Sequence, residues 1–317
     1  MEVGGDMKDK PNDLTILMAT YEGEKFLQSQ LASFAEQDTQ HIQINVSDDS
    51  RSDRTRDALS EQIKDFRNYD LHYSEGPRKG FVENFRALIL NCTPQTRYFA
   101  FSDQDDIWLP DKTSRSLTWL QEQPSDVPAL YCGRTQMIDQ DGRDMRRLSP
   151  LFSRAPAFKN ALVQSIAGGN TMTMNRAAFV LLKRSLVKGT PISHDWWAYI
   201  MVTGAGGAIK YDPQPLTLYR QHGDNIVGEN SSYAARAARL QMVMDGTWRR
   251  WQDVHLKLLA DNWEELTPDA QSVTNSFMEA RRISPIGRLN WLRQSGVWRQ
   301  TKFGTASLYI ATLAGRL

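Results

Sequence analysis

The sequence predicts an α/β fold: a mostly parallel central sheet flanked by helices, followed by a helical C-terminal extension. Three observations predict it. Compact apolar runs of strand length alternate with stretches of helical period over about the first 110 residues. Polar and acidic clusters recur where those runs end, at the edge where parallel sheets bind ligands. Beyond Asn230 the strand signals cease and NSSYAARAARLQ opens a long helical stretch.

The elements follow in order. LTILMA (14–19) has the length and composition of a strand, and Phe26, Leu27, Leu31 and Phe34 are spaced for one apolar helix face. IQINVSDD is a second strand ending in acids, and RSDRTRDALSEQIKDF continues as a helix with Ser52 or Asp53 as its N-cap. DLHYSE gives a third strand, FVENFRALILN a third helix, and RYFAFSDQDD a fourth strand. After Leu130 the alternation loosens. LYCGRTQMID with the loop DQDGRDM suits a hairpin, AGGNTMTMN a glycine-started strand, and ISHDWWAYIMVTG a helix with a polar start. AIKYDPQPLTLYRQHGDN is expected to form two short strands around a proline turn. The expected organisation is a flexible tail over 1–13, an α/β domain over 14–229 in halves of about 14–110 and 111–229, and a helical basic region over 230–317.

Composition sets outer bounds. At 317 residues, 40% hydrophobic and 24% charged, the chain can bury a sizeable core. A formal net charge of +1 gives no global attraction to nucleic acid, which is not an expected partner. Two cysteines, Cys92 and Cys132, are too few for a disulfide framework or a cysteine metal site and are expected to be small core residues. The N-terminal MEVGGDMKDKPND lacks the basic start and apolar centre of a secretory signal. No uncharged apolar run approaches the ~20 residues a membrane-spanning helix needs. A cytoplasmic protein, or one attached to the inner face of a membrane, is expected.

SDQDD is the densest of the edge clusters. A helix cap needs one aspartate, whereas Asp103, Asp105 and Asp106 crowd three carboxylates into four positions. Like charges so close repel unless a cation or water lies between them. Hard divalent cations such as Mg²⁺ or Mn²⁺ prefer carboxylate together with phosphate oxygens. A D-x-D turn at this edge therefore suits a metal that bridges a diphosphate.

MATYEG, VSDDSRSD, GPRKGFVENF, FSDQDDIWLPDK, GGNTMTMNR, HDWW and YRQHGDN occur in that order. Together they resemble a family 2 glycosyltransferase of the GT-A fold, over roughly residues 14–228. SDQDDIWLPDK with HDWW is most similar to the rhamnosyltransferase-like branch. The resemblance implies that Ala19, Tyr21 and Glu22 line the base and ribose pocket and that Asp49, with Asp48 beside it, accepts a hydrogen bond from a pyrimidine. The residue-level alternative for Asp48 and Asp49 is capping of the next helix. Lys79, Gly80 and Asn84 would lie near the ribose and diphosphate, or else form a basic turn and an ordinary helix start.

The same resemblance makes Asp105 the direct metal ligand, with His222 joining it. Asp103 would touch the ribose or a metal-bound water, and Asp106 would stand behind or face the sugar. Gln104 replaces the small residue usual in the middle of the motif. Asp195 would be the catalytic base, and Gly169, Asn170, Trp196 and Trp197 would meet the acceptor, although Ser193 or Asp195 could simply cap a helix and the tryptophans could be core. The implied activity is inverting, metal-dependent transfer of a sugar from a nucleoside diphosphate donor, dTDP-rhamnose first and UDP-sugars next. The implied acceptor is a glycan or polyprenyl-linked chain in bacterial surface polysaccharide synthesis.

Two other classes remain open at this point. A nucleotidyltransferase would carry a glycine-rich basic loop near the start, whereas MATYEGEKF has one glycine. A binding protein without turnover would not need Asp195 and Asp105. From residue 280 to the end there is no Asp or Glu, while Arg281, Arg282, Arg288, Arg293, Arg299, Lys302 and Arg316 interleave with Trp291, Trp298, Phe303, Leu308 and Tyr309. That pattern suits contact of 281–317 with an anionic membrane surface, or equally a helix packed on the α/β domain with its arginines solvated.

Overall fold

A computed structural model describes residues 13–39, 42–65, 69–222, 241–282 and 285–317. The first half follows the expected alternation. Strands β1 (Leu14–Thr20), β2 (Ile42–Asp48), β3 (Tyr69–Glu75) and β4 (Tyr98–Ser102) are interleaved with helices α1 (Leu27–Ala35), α2 (Arg54–Gln62) and α3 (Phe81–Asn91). The pairs β3–β2, β2–β1 and β1–β4 are all parallel, so the chain ends of these four strands share one edge. Asp53 occupies the cap position of α2 without a side-chain bond to a first-turn amide; its carboxylate pairs instead with the Arg56 guanidinium at 3.0 Å.

Side-chain alternation gives the sheet two buried faces. In β1, Leu14, Ile16 and Met18 join Leu27, Leu31 and Phe34 of α1 on one side, while Leu17 faces Phe85, Leu88 and Ile89 of α3 on the other. In β4, Tyr98 and Ala100 go one way, Phe99 and Phe101 the other. The strand period of two and the helical period of 3.6 meet in the same two layers.

The second half extends the sheet with mixed polarity. After β5 (Ile107–Trp108) and α4 (Lys112–Gln121) come the hairpin β6 (Ala129–Ile138) and β7 (Asp144–Leu148), the short helix α5 (Phe158–Ala161), β8 (Thr173–Asn175), α6 (Arg176–Val187), α7 (His194–Gly204) and β9 (Ala208–Arg220). The strand order is β3-β2-β1-β4-β8-β6-β9-β5, with β7 on β6. Several elements differ from expectation, β5 and α5 having no expected counterpart. AIKYDPQPLTLYR is one strand rather than two, because its pairing with β6 skips from Asp212 opposite Gly133 to Pro215 opposite Arg134 and a bulge absorbs the prolines. Helix α6 had no counterpart in the sequence reading; Asn175 caps it by accepting from the Ala178 amide.

Further helices follow among the described residues, including Thr247–Asp261, Pro268–Arg282, Pro285–Ser295 and Lys302–Leu313. Their Leu256, Leu259, Phe277, Leu292 and Leu308 belong to the same apolar cluster as Phe85 and Phe101, so this region packs on the sheet domain. The expected tail, apart from Asp13, and the boundary near 229/230 lie outside the described residues. Cys92 and Cys132 are free and buried, and burial pushes their thiols up to about 11 and about 12. No described helix is long and apolar enough to cross a membrane.

Candidate active site

The edge loops after β1 and β2 form one hydrogen-bonded block. Asp48 is buried; its Oδ1 accepts from Thr20 Oγ1 at 2.9 Å and Ser50 Oγ at 2.7 Å, and its Oδ2 accepts from Tyr73 Oη at 3.1 Å. Burial, then the Asp48 charge, pushes the Tyr73 phenol up to about 12. Asp49 accepts from the Arg78 amide at 2.8 Å and the Gly80 amide at 3.0 Å, and so shapes the GPRKG loop. Gly76 must be glycine there, since a Cβ would fall 2.3 Å from Asp49 Oδ1. Neither aspartate caps α2; both are occupied within the loops.

Lys79 and Tyr21 are solvent-exposed, Tyr21 by 55%, whereas Ala19 is half-buried. Glu22 takes a positive φ of 46° and donates its amide to Ser50 Oγ. Gly80 opens α3 at φ 88°, a conformation that favours glycine. Asn84 is buried beneath the loops, its Nδ2 donating to the carbonyls of Thr20 at 3.2 Å and Ser47 at 2.9 Å. It ties β1 to β2 rather than pointing outward. Gln104 has a role unforeseen in the sequence: it accepts from the Tyr21 amide at 2.8 Å and donates to the Tyr21 carbonyl at 3.0 Å.

The acidic turn is divided among different partners. Asp105 Oδ2 lies 2.7 Å from His222 Nε2, and the imidazole stacks on Phe26 with ring centroids 5.0 Å apart. Asp106 is fully buried, accepting from Asn170 Nδ2 and, at 3.2 Å, from the Arg220 amide. Burial and the neighbouring Asp105 and Asp103 raise the Asp106 carboxyl well above its ordinary range. Asp103 keeps partial exposure of the residue while its carboxyl is enclosed. Burial first, then the charges of Asp105 and Asp195, push that carboxyl up to about 7.

Two buried basic residues stand behind this turn, Arg220 bonding it directly and Lys112 bonding Asn170, and the sequence reading assigned neither a role. Lys112 is fully buried at the start of α4, with Nζ donating to the Asn170 carbonyl and lying 3.5 Å from the centre of the Trp108 ring. Burial lowers its ammonium well below the usual range, opposed by Asp106 and Asp103. Arg220 Nε donates to the Asp105 carbonyl at 2.8 Å, and its Nη1 reaches the Gln140 carbonyl at 3.1 Å. Both residues lie inside the quoted motifs, in IWLPDK and YRQH. Charge alone did not mark them as interior.

Asp195 sits in the first turn of α7, where a helix N-terminus favours a carboxylate. Its Oδ2 accepts from the Gly169 amide at 3.2 Å and its Oδ1 from the Trp196 amide at 2.7 Å. Gly169 fits closely: a Cβ there would fall 2.4 Å from His194 Nε2 and 3.4 Å from Asp195 Cβ. His194 is buried flat against Phe85, centroids 3.7 Å apart, and burial lowers it to about 4. His255, from the C-terminal helix Thr247–Asp261, packs against Trp196 and Trp197 and accepts from the Ile192 amide. Burial lowers it to about 3, with the Asp195 charge opposing.

Of the four residues expected against an acceptor, Gly169 and Asn170 adjoin the acidic cluster and Asp195. The Trp196 amide also reaches Asp195, but the indoles of Trp196 and Trp197 turn away from it. Both are buried, and their indole N–H groups donate inward, to the Ala161 carbonyl and to Ser185 Oγ. Of the two readings open for them, the structure shows core packing: each indole has both its apolar cover and its hydrogen bond inside the core.

Comparison with known proteins identifies the family and the fold. The model for glycosyl transferase family 2 matches residues 15–188, more than half of the chain. A dTDP-rhamnosyl transferase of Shigella flexneri, RfbG, is 29% identical over 258 residues, 77% of this chain and 85% of its own length. Among solved structures, the mannosyltransferase PcManGT of Pyrobaculum calidifontis, in complex with GDP-Man and Mn²⁺, is 16% identical with a TM-score of 0.50, covering 97% of this chain and 88% of its own. TarS of S. aureus in complex with UDP-GlcNAc is 14% identical with a TM-score of 0.50, covering 89% and 79%. These two likenesses bear on the fold.

Proposed function

Because the chain belongs to glycosyl transferase family 2, and is therefore a glycosyltransferase acting on nucleotide sugars, we propose that it transfers L-rhamnose from dTDP-rhamnose, with inversion, to a glycan or polyprenyl-linked acceptor of a bacterial surface polysaccharide. The sugar follows from the similarity to the Shigella transferase. The observation that carries the mechanism is the bridge between distant segments: Asn170 Nδ2 donates to Asp106 of the acidic turn while the amide of the adjacent Gly169 donates to Asp195.

The loops after β1 and β2 bind the nucleotide: Tyr21 presents an exposed ring, and Asp49 holds the backbone of the GPRKG loop in place beside the strand ends. Lys79, exposed in that loop, meets the diphosphate. Asp195 takes the proton of the acceptor hydroxyl as that oxygen attacks the anomeric carbon from the side opposite the leaving diphosphate. Its carboxylate is fixed by the Gly169 and Trp196 amides, so little reorientation is needed.

A divalent cation fits at Asp105 and His222. The pair offers one oxygen and one nitrogen donor in contact, and among the described residues no cluster of three or more ligating side chains forms a closed metal cage. Asp103, expected on the ribose or a metal-bound water, does not complete such a set. The remaining positions would fall to diphosphate oxygens and water, the balance that Mg²⁺ and Mn²⁺ favour. When bound, the ion would neutralise charge developing on the leaving diphosphate.

Turnover of dTDP-rhamnose and UDP-sugars with and without Mn²⁺, alongside Asp195→Asn, tests the reading. dTDP-rhamnose is expected to be the preferred donor, and Asp195→Asn to lower kcat by about 10²–10⁴. Undiminished turnover by the variant would remove Asp195 as the base.

A further inference from the structure

Two stretches of the chain contain no Asp or Glu: residues 145–194 and residues 280–317. The structure fastens them to each other. The Arg154 guanidinium lies 3.5 Å over the Trp298 ring, and the Arg154 amide donates to Gln300 Oε1 at 3.1 Å. Asn160 Nδ2 donates to the Trp298 carbonyl at 3.0 Å, and Gln164 Oε1 accepts from the Gln300 amide at 2.9 Å. Gly169, whose amide holds Asp195, follows five residues after Gln164. The seam therefore lies next in sequence to the segment that carries the proposed acceptor side of the site.

Large apolar side chains stand out from both stretches. Leu151 is 57% exposed, Phe303 83% and Ile310 67%, with Leu148 and Leu313 also exposed. On helix Lys302–Leu313, Phe303, Ile310 and Leu313 share the outward face, while Leu308, Ala311 and Thr312 are buried against the core. The aromatics expected to meet a membrane are thus redistributed. Leu308 is core and Trp298 lies under Arg154, which leaves Phe303 with Ile310 as the outward pair.

Cations frame this stripe at both ends. Lys302 is exposed at the helix start. At its end Arg316 is exposed, Arg249 Nη1 donates to the Gly315 carbonyl at 2.8 Å, and a Cβ on Gly315 would fall 2.9 Å from Arg288 Nη1. Exposed apolar groups bordered by cations, without a carboxylate in either stretch, complement a surface that is apolar inside and anionic at its rim.

We propose that this composite face, formed by Leu148–Arg154 and Trp298–Arg316, docks on an anionic phospholipid leaflet. Phe303, Ile310, Leu313 and Leu151 enter the headgroup–acyl boundary, and Lys302 and Arg316 meet lipid phosphates. The inference deepens the proposed function, resting on its lipid-linked acceptor for purpose, yet docking needs no sugar nucleotide and can be measured apart from transfer. The seam at Trp298–Gln300 places the docked helix beside the chain that leads to Gly169, so an acceptor carried in the leaflet would be presented near Asp195.

The test is flotation of the full chain with phosphatidylglycerol–phosphatidylethanolamine vesicles and with pure phosphatidylcholine vesicles. Binding is expected to the anionic vesicles, weakened by salt. Leu151→Ser/Phe303→Ser/Ile310→Ser and Lys302→Glu/Arg316→Glu should each lower partitioning at least about tenfold. Both variants change exposed residues outside the transfer site, so circular dichroism and turnover with a soluble acceptor should be unchanged. Equal binding to both vesicle types, absence of binding, or retention of binding by both variants would overturn the proposal. So would a dimer, seen by light scattering, that the same substitutions dissolve, since that outcome gives the face to a second copy of the chain. Loss of transfer activity with vesicle binding intact would count against the proposed function alone.

Discussion

His222 Nε2 lies 2.7 Å from Asp105 Oδ2, joining residues 117 positions apart at the edge of the sheet. Phe26 stacks beneath the imidazole and the Arg220 backbone and guanidinium hold the turn that carries Asp105, so the pair is set by three separate segments. If it is the cation site, Asp105→Asn and His222→Ala should each weaken Mn²⁺ binding by at least about tenfold. A thermal-shift titration with Mn²⁺ and a nucleoside diphosphate reads this directly. Chelation by EDTA should abolish turnover by the wild-type protein. An unchanged Mn²⁺ midpoint in both variants would place the ion elsewhere.

Lys112 is a fully buried basic residue of the same motif as the acidic turn, and its Nζ donates to the Asn170 carbonyl. Lys112→Met removes the hydrogen bond to the Asn170 carbonyl and the field that opposes the raising of Asp106 and Asp103, which should cost about 1–3 kcal/mol by urea denaturation. Combining it with Asp106→Asn should recover part of the loss, because the uncompensated carboxyl is then gone. Strict additivity of the two substitutions would mean that they do not interact.

Gly169→Ala tests the packing behind Asp195. The added methyl would overlap His194 Nε2, a ring already pressed against Phe85 and with little room to retreat. Turnover should fall by about 10²-fold through displacement of the carboxylate, and Tm should drop by several degrees. Wild-type kcat in this variant would show that the close fit is irrelevant to chemistry.

His255 should make stability fall with acid. Its folded value of about 3 lies below the ordinary 6.5, so the unfolded chain binds the extra proton between those limits. Its contribution is therefore complete above about pH 6.5 and is lost as pH falls toward 3. Asp103 and Asp106, raised by burial, work in the opposite sense, so the informative quantity is a difference between proteins. His255→Gln should flatten Tm against pH over that window by about 2–4 °C per pH unit relative to wild type. Parallel curves would show that His255 is protonated in the fold.

The sequence alone determined the first four strands, the helices between them and the chain edge where the acids collect. Those features are local: a period of two or 3.6 and a cap or turn residue are written in neighbouring positions. The family resemblance of the motifs, not local period, singled out Asp195, Asp105 and His222. Tertiary structure decided what touches what. That Lys112 is interior, that Asp106 is spent on Asn170 and Arg220, and that Asn84 staples β1 to β2 all depend on partners distant in sequence. The same holds where local reading went wrong or left two readings open. Pro213 and Pro215 look like a strand break until β6 supplies the bulge, and Trp196 and Trp197 look available to a ligand until Ala161 and Ser185 take their N–H groups. Sequence fixes where a side chain sits on its own element, but burial and charge compensation are properties of the elements packed against it.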